Sequence, residues 1–246
     1  MRKFGLIGKT LTHSFSPTYF KNKFETEQII DAQYELFPLE NVEEISTIKI
    51  EQENLIGLNV TIPFKESIIP FLDEISEQAK AIGAVNTIAC LADGRWKGYN
   101  TDAFGFEKAI QSFVDLKTRN ALVLGTGGAS KAVQYILAKH AVPFYLLSRT
   151  PKKDSKEITY EELNQNLLES HTLIINCTPL GTFPNINECP NIPFEFIGDK
   201  HFVFDLMYNP AETSLMKKAK AAGAAVANGT SMLENQAEAS WEIWNK

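Results

Sequence analysis

A short segment that joins a buried strand, a glycine turn and a helix constrains the fold of this chain most. Three apolar residues at 122–124 precede Gly125-Thr126-Gly127-Gly128-Ala129, and the residues from Ser130 onward carry apolar side chains at helical spacing. This order is typical of dinucleotide-binding units, in which the helix N-terminus faces the phosphates. Ser130 occupies the third position of the G-x-G-x-x-G pattern, so a tight turn that binds no ligand is an alternative at this point.

The residues after the next strand bear on the choice between NAD and NADP. An acidic side chain about 20 residues after the glycine turn would bind the ribose 2′-hydroxyl of NAD. Here the apolar strand 144–147 ends in Ser148-Arg149-Thr150-Pro151-Lys152-Lys153. These cationic and hydroxyl groups suit a 2′-phosphate, because arginine makes forked hydrogen bonds to phosphate oxygens. The segment favours NADP over NAD, and over a solvated surface loop.

Length, charge and cysteine usage narrow the class of protein. The 246 residues, 44% of them hydrophobic, suit two modest domains, and the net charge of −6 argues against a general nucleic-acid or membrane partner. No apolar run approaches the ~18 residues of a membrane span. The three cysteines have neither CxxC nor metal-ligand spacing, so we interpret them as small apolar residues in a reducing compartment. A cytoplasmic enzyme without a metal site is expected.

The first hundred residues alternate between strand and helix patterns, which predicts a mostly parallel sheet. Ser16-Pro17 predicts a helix N-cap and first helical residue, and Ser14 lies in the same loop, where His13 is interpreted as a loop histidine. The predicted strands are 4–7, 34–37 and 55–60, with a hairpin of 88–91 and 96–99; the predicted helices are 42–50, 75–82 and 103–113.

Polar residues follow the third strand and the hairpin. Thr61 and Lys65 come after the strand 55–60, at the strand end where open α/β sheets bind ligands, and Pro63 predicts a short helix that carries Lys65. Asp102 follows the second strand of the hairpin, near the start of the next predicted helix. Lys65 and Asp102 are candidate ligand-binding residues. The alternatives are an ordinary surface lysine for Lys65 and a helix cap for Asp102.

The second half predicts strands at 172–176, 202–206 and 225–227, and helices at 211–222 and 232–244. The polar segment 152–168 is short for a full crossover helix with its loops.

Seven motifs in the same order resemble the shikimate dehydrogenase family over nearly the whole chain. They are Ser14-Phe15-Ser16-Pro17, Asn59 to Lys65, Gly83-Ala84-Val85-Asn86-Thr87, Asn100-Thr101-Asp102, Gly125 to Ser130, Ser148-Arg149-Thr150 and Gly229 through Gln236-Ala237. The resemblance implies an α/β fold: a mostly parallel substrate domain (1–102, completed by the C-terminal helix 230–246) and a Rossmann-type NADP-binding domain (103–229). It also implies that the last helix returns to the first domain.

The resemblance further implies reversible, NADPH-dependent reduction of 3-dehydroshikimate to shikimate, a step of aromatic amino acid biosynthesis, by a monomer or homodimer. The implied catalytic pair is Lys65 and Asp102. The implied substrate-binding residues are Ser14, Ser16, Thr61, Asn86, Asp102, Tyr208 and Gln236. The implied cofactor-binding residues are Gly125, Thr126, Gly127, Gly128, Ala129, Ser148, Arg149, Thr150, Lys152, Lys153, Thr178, Leu206 and Gly229.

The chain departs from the family pattern at several positions. Ser148 stands where the family usually has asparagine, Leu206 stands where it has methionine near the nicotinamide, and Asn228 replaces a frequent aspartate. The crossover after Thr150 is also short, and it includes the loop that flanks the adenosine in the family.

Two other functions are compatible with parts of this pattern. A quinate or dual quinate/shikimate dehydrogenase using NAD would share every motif except the basic segment, so Arg149, Lys152 and Lys153 argue against it. A catalytically silent NADP-binding sensor would have no need of both Lys65 and Asp102.

Overall fold

A computed structural model describes residues 1–12, 14–51, 53–153 and 155–246 of the chain. The chain divides into two compact units. The first unit comprises Met1–Gly105 together with Leu233–Lys246, and the second comprises Phe106–Met232. His13, which the sequence analysis assigned to a loop, lies outside the described residues.

The described strands are β1 (Arg2–Gly8), β2 (Ala32–Pro38), β3 (Leu55–Val60), β4 (Glu74–Ile75), β5 (Thr87–Cys90), β6 (Trp96–Tyr99), β7 (Ala121–Leu124), β8 (Phe144–Leu147), β9 (Glu157–Ile158), β10 (Leu173–Asn176), β11 (Phe202–Asp205) and β12 (Ala225–Asn228). The α-helices are α1 (Phe15–Thr26), α2 (Ile45–Glu51), α3 (Glu77–Ile82), α4 (Thr101–Gln111), α5 (Gly128–Lys139), α6 (Gln165–Ser170), α7 (Ser214–Ala221) and α8 (Thr230–Trp244). None of these helices, within the described ranges, is both long and apolar enough to cross a membrane.

The sheet of the first unit has the strand order β2-β1-β3-β5-β6-β4. β1 runs parallel to both β2 and β3, and β4 runs parallel to β6. β5 is antiparallel to β3 and to β6, because a tight hairpin joins β5 to β6. The predicted mostly parallel sheet is confirmed for the pairs β2–β1, β1–β3 and β6–β4, whereas β5 of the predicted hairpin is antiparallel to both of its neighbours.

Apolar side chains pack on both faces of this sheet, and β1 contributes to both because successive side chains of a strand point to opposite faces. Ile7 joins a core cluster with Leu58 and Phe64 on one face, whereas Phe4 packs with Phe20 and Trp244 on the other. Trp244 belongs to α8, and its indole Nε1 donates a hydrogen bond of 2.9 Å to the carbonyl oxygen of Ile88. The return of the last helix to the first unit is thus confirmed.

Gly57 shows how closely α8 approaches this sheet. A Cβ atom at Gly57 would lie 2.0 Å from Nε1 of Trp244, far inside van der Waals contact. The glycine in β3 therefore makes room for the indole of α8.

The second unit is a six-stranded sheet with the order β12-β11-β10-β7-β8-β9, in which all neighbouring strands are parallel. This is the order of a doubly wound Rossmann fold, with the switch point between β7 and β10. The core of the unit includes Leu122, Leu147, Ile174, Val203 and Leu215. The Rossmann-type fold predicted from the glycine turn is confirmed.

The start of the first helix was predicted two residues too late. The helix begins at Phe15, and Ser14 has the extended backbone of an N-cap residue. The ring of Phe15 stacks on that of Tyr19, one helical turn further along, with 5.2 Å between the ring centroids. Ser16 is instead buried in the first helical turn, and Pro17 lies beyond the first helical position.

Two further segments differ from the sequence-based expectation. The residues after Pro63 form turns up to Ile68 and a 3-10 helix at Ile69–Phe71, not an α-helix. The crossover 152–168 contains the strand β9, which was not predicted, and the beginning of α6, which spans only six residues. β9 has only two residues, so an alternation of apolar and polar residues could not reveal it in the sequence.

Candidate active site

The strand order brings three separate sequence segments to one edge of the sheet in the first unit. β3 and β6 both end at this edge, and β5 begins there, since Asn59 pairs with Thr87 and Thr87 pairs with Tyr99. The residues that follow β3, precede β5 and follow β6 therefore lie side by side. These segments carry Lys65, Asn86 and Asp102.

Lys65 is held by the turn that follows β3. Phe64 and Ile68 are buried in the core cluster and anchor the turn on both sides of Lys65. The backbone carbonyl oxygen of Lys65 accepts a hydrogen bond of 2.7 Å from the N–H of Val85, which fixes the turn against the segment before β5. Lys65 is therefore not a surface lysine, and only 15% of its side chain is exposed.

Asp102 lies in the first turn of α4, where the helix dipole favours a negative charge. The cap of this helix comes from Asn100, whose Oδ1 accepts the N–H of Ala103 at 3.1 Å. The carboxylate of Asp102 is thus free of a capping role. Its Oδ2 lies 2.6 Å from Nζ of Lys65, and its side chain is only 7% exposed.

Asn86 orients the carboxylate of Asp102. Its Oδ1 accepts the backbone N–H of Thr101 at 2.6 Å, so its Nδ2 must face the other way, and Nδ2 donates to Oδ1 of Asp102 at 2.9 Å. Each carboxylate oxygen of Asp102 therefore has its own partner, Asn86 on one and Lys65 on the other. Nδ2 of Asn86 also lies 3.4 Å from Oε1 of Gln236, which brings α8 to the same site.

A buried group of hydroxyl and amide side chains continues from this site into the unit. Oγ1 of Thr87 lies 3.1 Å from the hydroxyl of Thr101 and 2.8 Å from the hydroxyl of Ser240. Nδ2 of Asn59 donates to Ser240 at 2.9 Å, and Oδ1 of Asn59 accepts from the phenol of Tyr34 at 2.8 Å. We call these five residues the polar cluster.

The polar cluster was not predicted from the sequence. Ser240 follows Gln236 by four residues, so helical spacing alone indicates that the two share a face of α8. Thr87 and Asn59 carry no comparable signal, because their meeting depends on the pairing of β3 with β5.

The remaining residues predicted to bind substrate are distributed over both units. Ser16 is buried in the first turn of α1. Ser14 and Thr61 are half-buried, directly before α1 and directly after β3. Tyr208 lies in the second unit, where burial raises the pKa of its phenol.

The glycine turn of the second unit has the geometry of an anion-binding loop. Gly125 has a φ of +97°, a left-handed conformation that favours glycine, and Gly127 occupies the N-cap position of α5. A Cβ at Gly127 would meet nothing within 4 Å, so the backbone there borders open space. The open space beside a helix N-terminus fits a pyrophosphate group.

Ser130 explains why the third glycine of the usual pattern is dispensable here. Its side chain is fully buried and accepts a hydrogen bond of 3.1 Å from Nε2 of Gln134. α5 therefore leaves room for a hydroxymethyl group at this position.

The other predicted cofactor residues follow the carboxyl ends of parallel strands, which share one edge of the Rossmann sheet. After β8, the hydroxyl of Ser148 accepts the N–H of Thr150 at 3.2 Å. The side chains available for a 2′-phosphate are all exposed: Arg149, Thr150, Lys152 and Lys153. The residues of the second unit thus fit NADP.

The segments after β10, β11 and β12 complete this edge with Thr178, Leu206 and Gly229. Gly229 lies against the backbone of Leu206, because a Cβ at Gly229 would come within 2.1 Å of the carbonyl oxygen of Leu206. The glycine therefore permits the close approach of the ends of β11 and β12.

The three cysteines are free thiols, and burial raises their pKa values, that of Cys90 to about 12. They stay protonated at neutral pH and are poor nucleophiles. Among the described residues, no group of three or more His, Cys, Asp or Glu side chains is arranged to hold a metal ion.

Comparisons with known proteins agree with this architecture. Residues 6–88 match the family model described as the shikimate dehydrogenase substrate binding domain. The chain is 37% identical to a shikimate dehydrogenase (NADP(+)) of Methanosphaera stadtmanae, with 98% of this chain and 90% of the relative covered.

Two solved structures have the same fold over nearly their whole length. Shikimate dehydrogenase 1 from Peptoclostridium difficile has a TM-score of 0.87 at 36% identity, covering 100% of this chain and 92% of that chain. The shikimate 5-dehydrogenase from Thermus thermophilus, solved in complex with NADP(H) and shikimate, has a TM-score of 0.85 at 30% identity, covering 99% and 93%.

Proposed function

The chain belongs to the shikimate dehydrogenase family, and from that premise we propose that it catalyses the reversible, NADPH-dependent reduction of 3-dehydroshikimate to shikimate. The observation that carries this proposal is the ion pair between Lys65 and Asp102, which is shielded from solvent and supported by Asn86. The reaction belongs to the biosynthesis of aromatic amino acids in this proposal.

Lys65 is the acid–base group of the proposed reaction. Reduction of a ketone leaves an alkoxide, which must receive a proton, and an ammonium group beside the carbonyl oxygen polarises it and donates that proton. Asp102 holds Nζ of Lys65 at 2.6 Å and can accept a hydrogen bond from a substrate hydroxyl. Acid–base assistance of this kind contributes about 10²–10⁴ in rate.

The substrate is a ring acid with several hydroxyl groups, and the proposed pocket supplies matching partners. The first unit supplies the hydroxyl and amide side chains of Ser14, Ser16, Thr61, Asn86 and Gln236. Tyr208 is a further residue proposed to bind the substrate. The amide of Asn86 is already fixed by Thr101, so it meets a ligand without further ordering.

NADP is the proposed cofactor, held by the glycine turn 125–129 and by Thr178, Leu206 and Gly229. The bound nicotinamide supplies the hydride. Arg149, Thr150, Lys152 and Lys153 face solvent and supply positive charge and hydroxyl groups for the 2′-phosphate. Ser148 hydrogen-bonds within its own turn, so it shapes the turn in place of the usual asparagine.

We further propose that the protein works in the cytoplasm, as a monomer or homodimer, on a small-molecule substrate. The free cysteines support a reducing compartment, and the net charge of −6 disfavours polyanionic partners.

Steady-state assays with shikimate and quinate, each with NADP and NAD, test the proposal. The purified chain is expected to turn over shikimate with NADP, with kcat/KM higher than for any other combination. A preference for quinate with NAD would establish the quinate dehydrogenase alternative instead. NADP binding without turnover of either acid would identify the chain as a cofactor sensor.

A further inference from the structure

Asp205 is a buried carboxylate that the proposed reaction does not use. It is the last residue of β11 and is 0% exposed. Its hydrogen-bond partners are neutral: Nδ2 of Asn176 at 2.9 Å, the backbone N–H of Met207 at 3.1 Å and the hydroxyl of Thr213 at 2.6 Å. Burial raises the pKa of this carboxyl, and the three donors oppose that shift because they stabilise the ionised form.

Asn176 links Asp205 to the loop after β10, because its side-chain amide hydrogen-bonds to both. A carboxylate only accepts hydrogen bonds, so it fixes the NH₂ group of Asn176 toward itself and the amide oxygen toward Thr178. That oxygen accepts the backbone N–H of Thr178 at 3.0 Å and its hydroxyl at 2.7 Å. The proposed cofactor residue Thr178 is therefore held by Asp205 through Asn176.

The same carboxylate anchors the segment after β11. The N–H of Met207 points to Oδ1 of Asp205, and Tyr208 is the next residue. Thr213 is the N-cap of α7, and its hydroxyl bonds to Oδ2 of Asp205. One side chain thus ties together the ends of β10 and β11 and the start of α7, at the sheet edge where α/β proteins bind ligands.

We infer that Asp205 is a positioning residue that holds Thr178 and the segment Leu206–Met207, which includes the proposed cofactor residue Leu206, in the conformation that binds NADP(H). This inference rests on the proposed function. Asparagine at this position would have nearly the same shape, but its amide could turn either way, so Asn176 and Thr178 would no longer have a single arrangement. These side chains would then have to be ordered when the cofactor binds, which makes the free energy of binding less favourable.

The test compares Asp205→Asn with Thr213→Val, which removes a bond to the same carboxylate but leaves Asn176 and Met207 in place. The dissociation constant of NADPH is measured by fluorescence titration, together with the melting temperature. We expect Asp205→Asn to raise the NADPH dissociation constant about fivefold to tenfold, the equivalent of about one hydrogen bond. Thr213→Val is expected to lower the melting temperature and to keep the wild-type affinity for NADPH.

Equal loss of NADPH affinity in both variants, or wild-type affinity in Asp205→Asn, would show that Asp205 has only a structural role. If Asp205→Asn does not fold, Asn176→Leu cuts the same link at Thr178 and is expected to weaken NADPH binding similarly; wild-type affinity there overturns the inference. Turnover of shikimate by the wild-type protein is scored separately. Wild-type NADPH binding without turnover refutes the proposed function while the variant comparison still decides the role of Asp205.

Discussion

The two units build their candidate sites in opposite ways. In the first unit, side chains from the segment after β3, the segment before β5, α4 and α8 converge. The polar cluster holds Asn86 there through Thr87 and Thr101. In the second unit, the backbone carries the site, through a left-handed glycine and the N-terminus of α5. The comparison teaches that the proposed proton donor is held by side-chain hydrogen bonds between distant segments, whereas the turn proposed to bind the pyrophosphate is formed by local backbone geometry.

Substitution of Lys65 gives the largest expected effect. We expect Lys65→Ala to lower kcat by about 10²–10⁴, because the alkoxide loses its proton donor. Lys49→Ala is the matched control, since Lys49 also pairs with an aspartate, Asp73, but on the surface of the same unit. Steady-state kinetics of the two variants test this. Wild-type turnover in both would show that Lys65 is not the proton donor and that the first unit does not carry the chemistry in the proposed way.

Substitution of Arg149 tests the second unit. We expect Arg149→Ala to raise the KM for NADP about tenfold to a hundredfold, since a charge-assisted contact to the 2′-phosphate is lost, and to leave the KM for NAD nearly unchanged. Arg95→Ala, at an exposed ion pair of the hairpin, is the control. Equal weakening of both cofactors would assign Arg149 to packing.

Thr87 tests whether the polar cluster supports the first unit. Thr87→Val replaces the hydroxyl by a methyl group of similar size and leaves buried partners at Ser240 and Thr101 with one bond fewer. We expect the free energy of unfolding to fall by about 1–3 kcal/mol. Thr87→Ser keeps the hydroxyl and should restore most of this loss in chemical denaturation. Equal stability of the valine and serine variants would show that the hydroxyl contributes nothing.

The smallest expected effect concerns the pH dependence of stability in the second unit. Burial raises the pKa of Asp205 in the folded state, so the folded state binds more protons than the unfolded chain between the two pKa values. The contribution of Asp205 to stability therefore falls as pH rises from its unfolded pKa through its folded pKa. Asp205→Asn removes this titration, and its stability relative to wild type should increase with pH across that window in urea titrations. A difference between the two proteins that does not change with pH would contradict the raised pKa.

This difference between the units also decides what could be predicted from the sequence. The glycine turn, the strand before it and the basic segment are contiguous, so the Rossmann-type unit followed from local patterns. Lys65, Asn86 and Asp102 are far apart in the sequence, and the residues alone left a surface lysine and a helix cap open. Their proposed roles, and the expectation that Lys65 and Asp102 form a pair, came from the resemblance. The pairing of β3, β5 and β6 explains how the two residues come within 2.6 Å of each other.

Short elements and buried partners escaped prediction for physical reasons. β9 has two residues and no period. The start of α1 was misjudged because Ser16-Pro17 has the composition of a cap, while Ser14, a serine in the same loop, is the N-cap residue. Thr87, Ser240 and Asn59 look like ordinary polar residues until the fold buries them together.

Binding of shikimate to Lys65→Ala is the most direct test of the central claim, that Lys65 serves the chemistry while other side chains hold the substrate. Isothermal titration calorimetry would be done on the same preparation whose turnover has been measured. The account predicts that kcat falls by about 10²–10⁴ while the dissociation constant of shikimate rises less than about tenfold. Loss of shikimate binding in proportion to the loss of turnover, with the protein still folded, would contradict it.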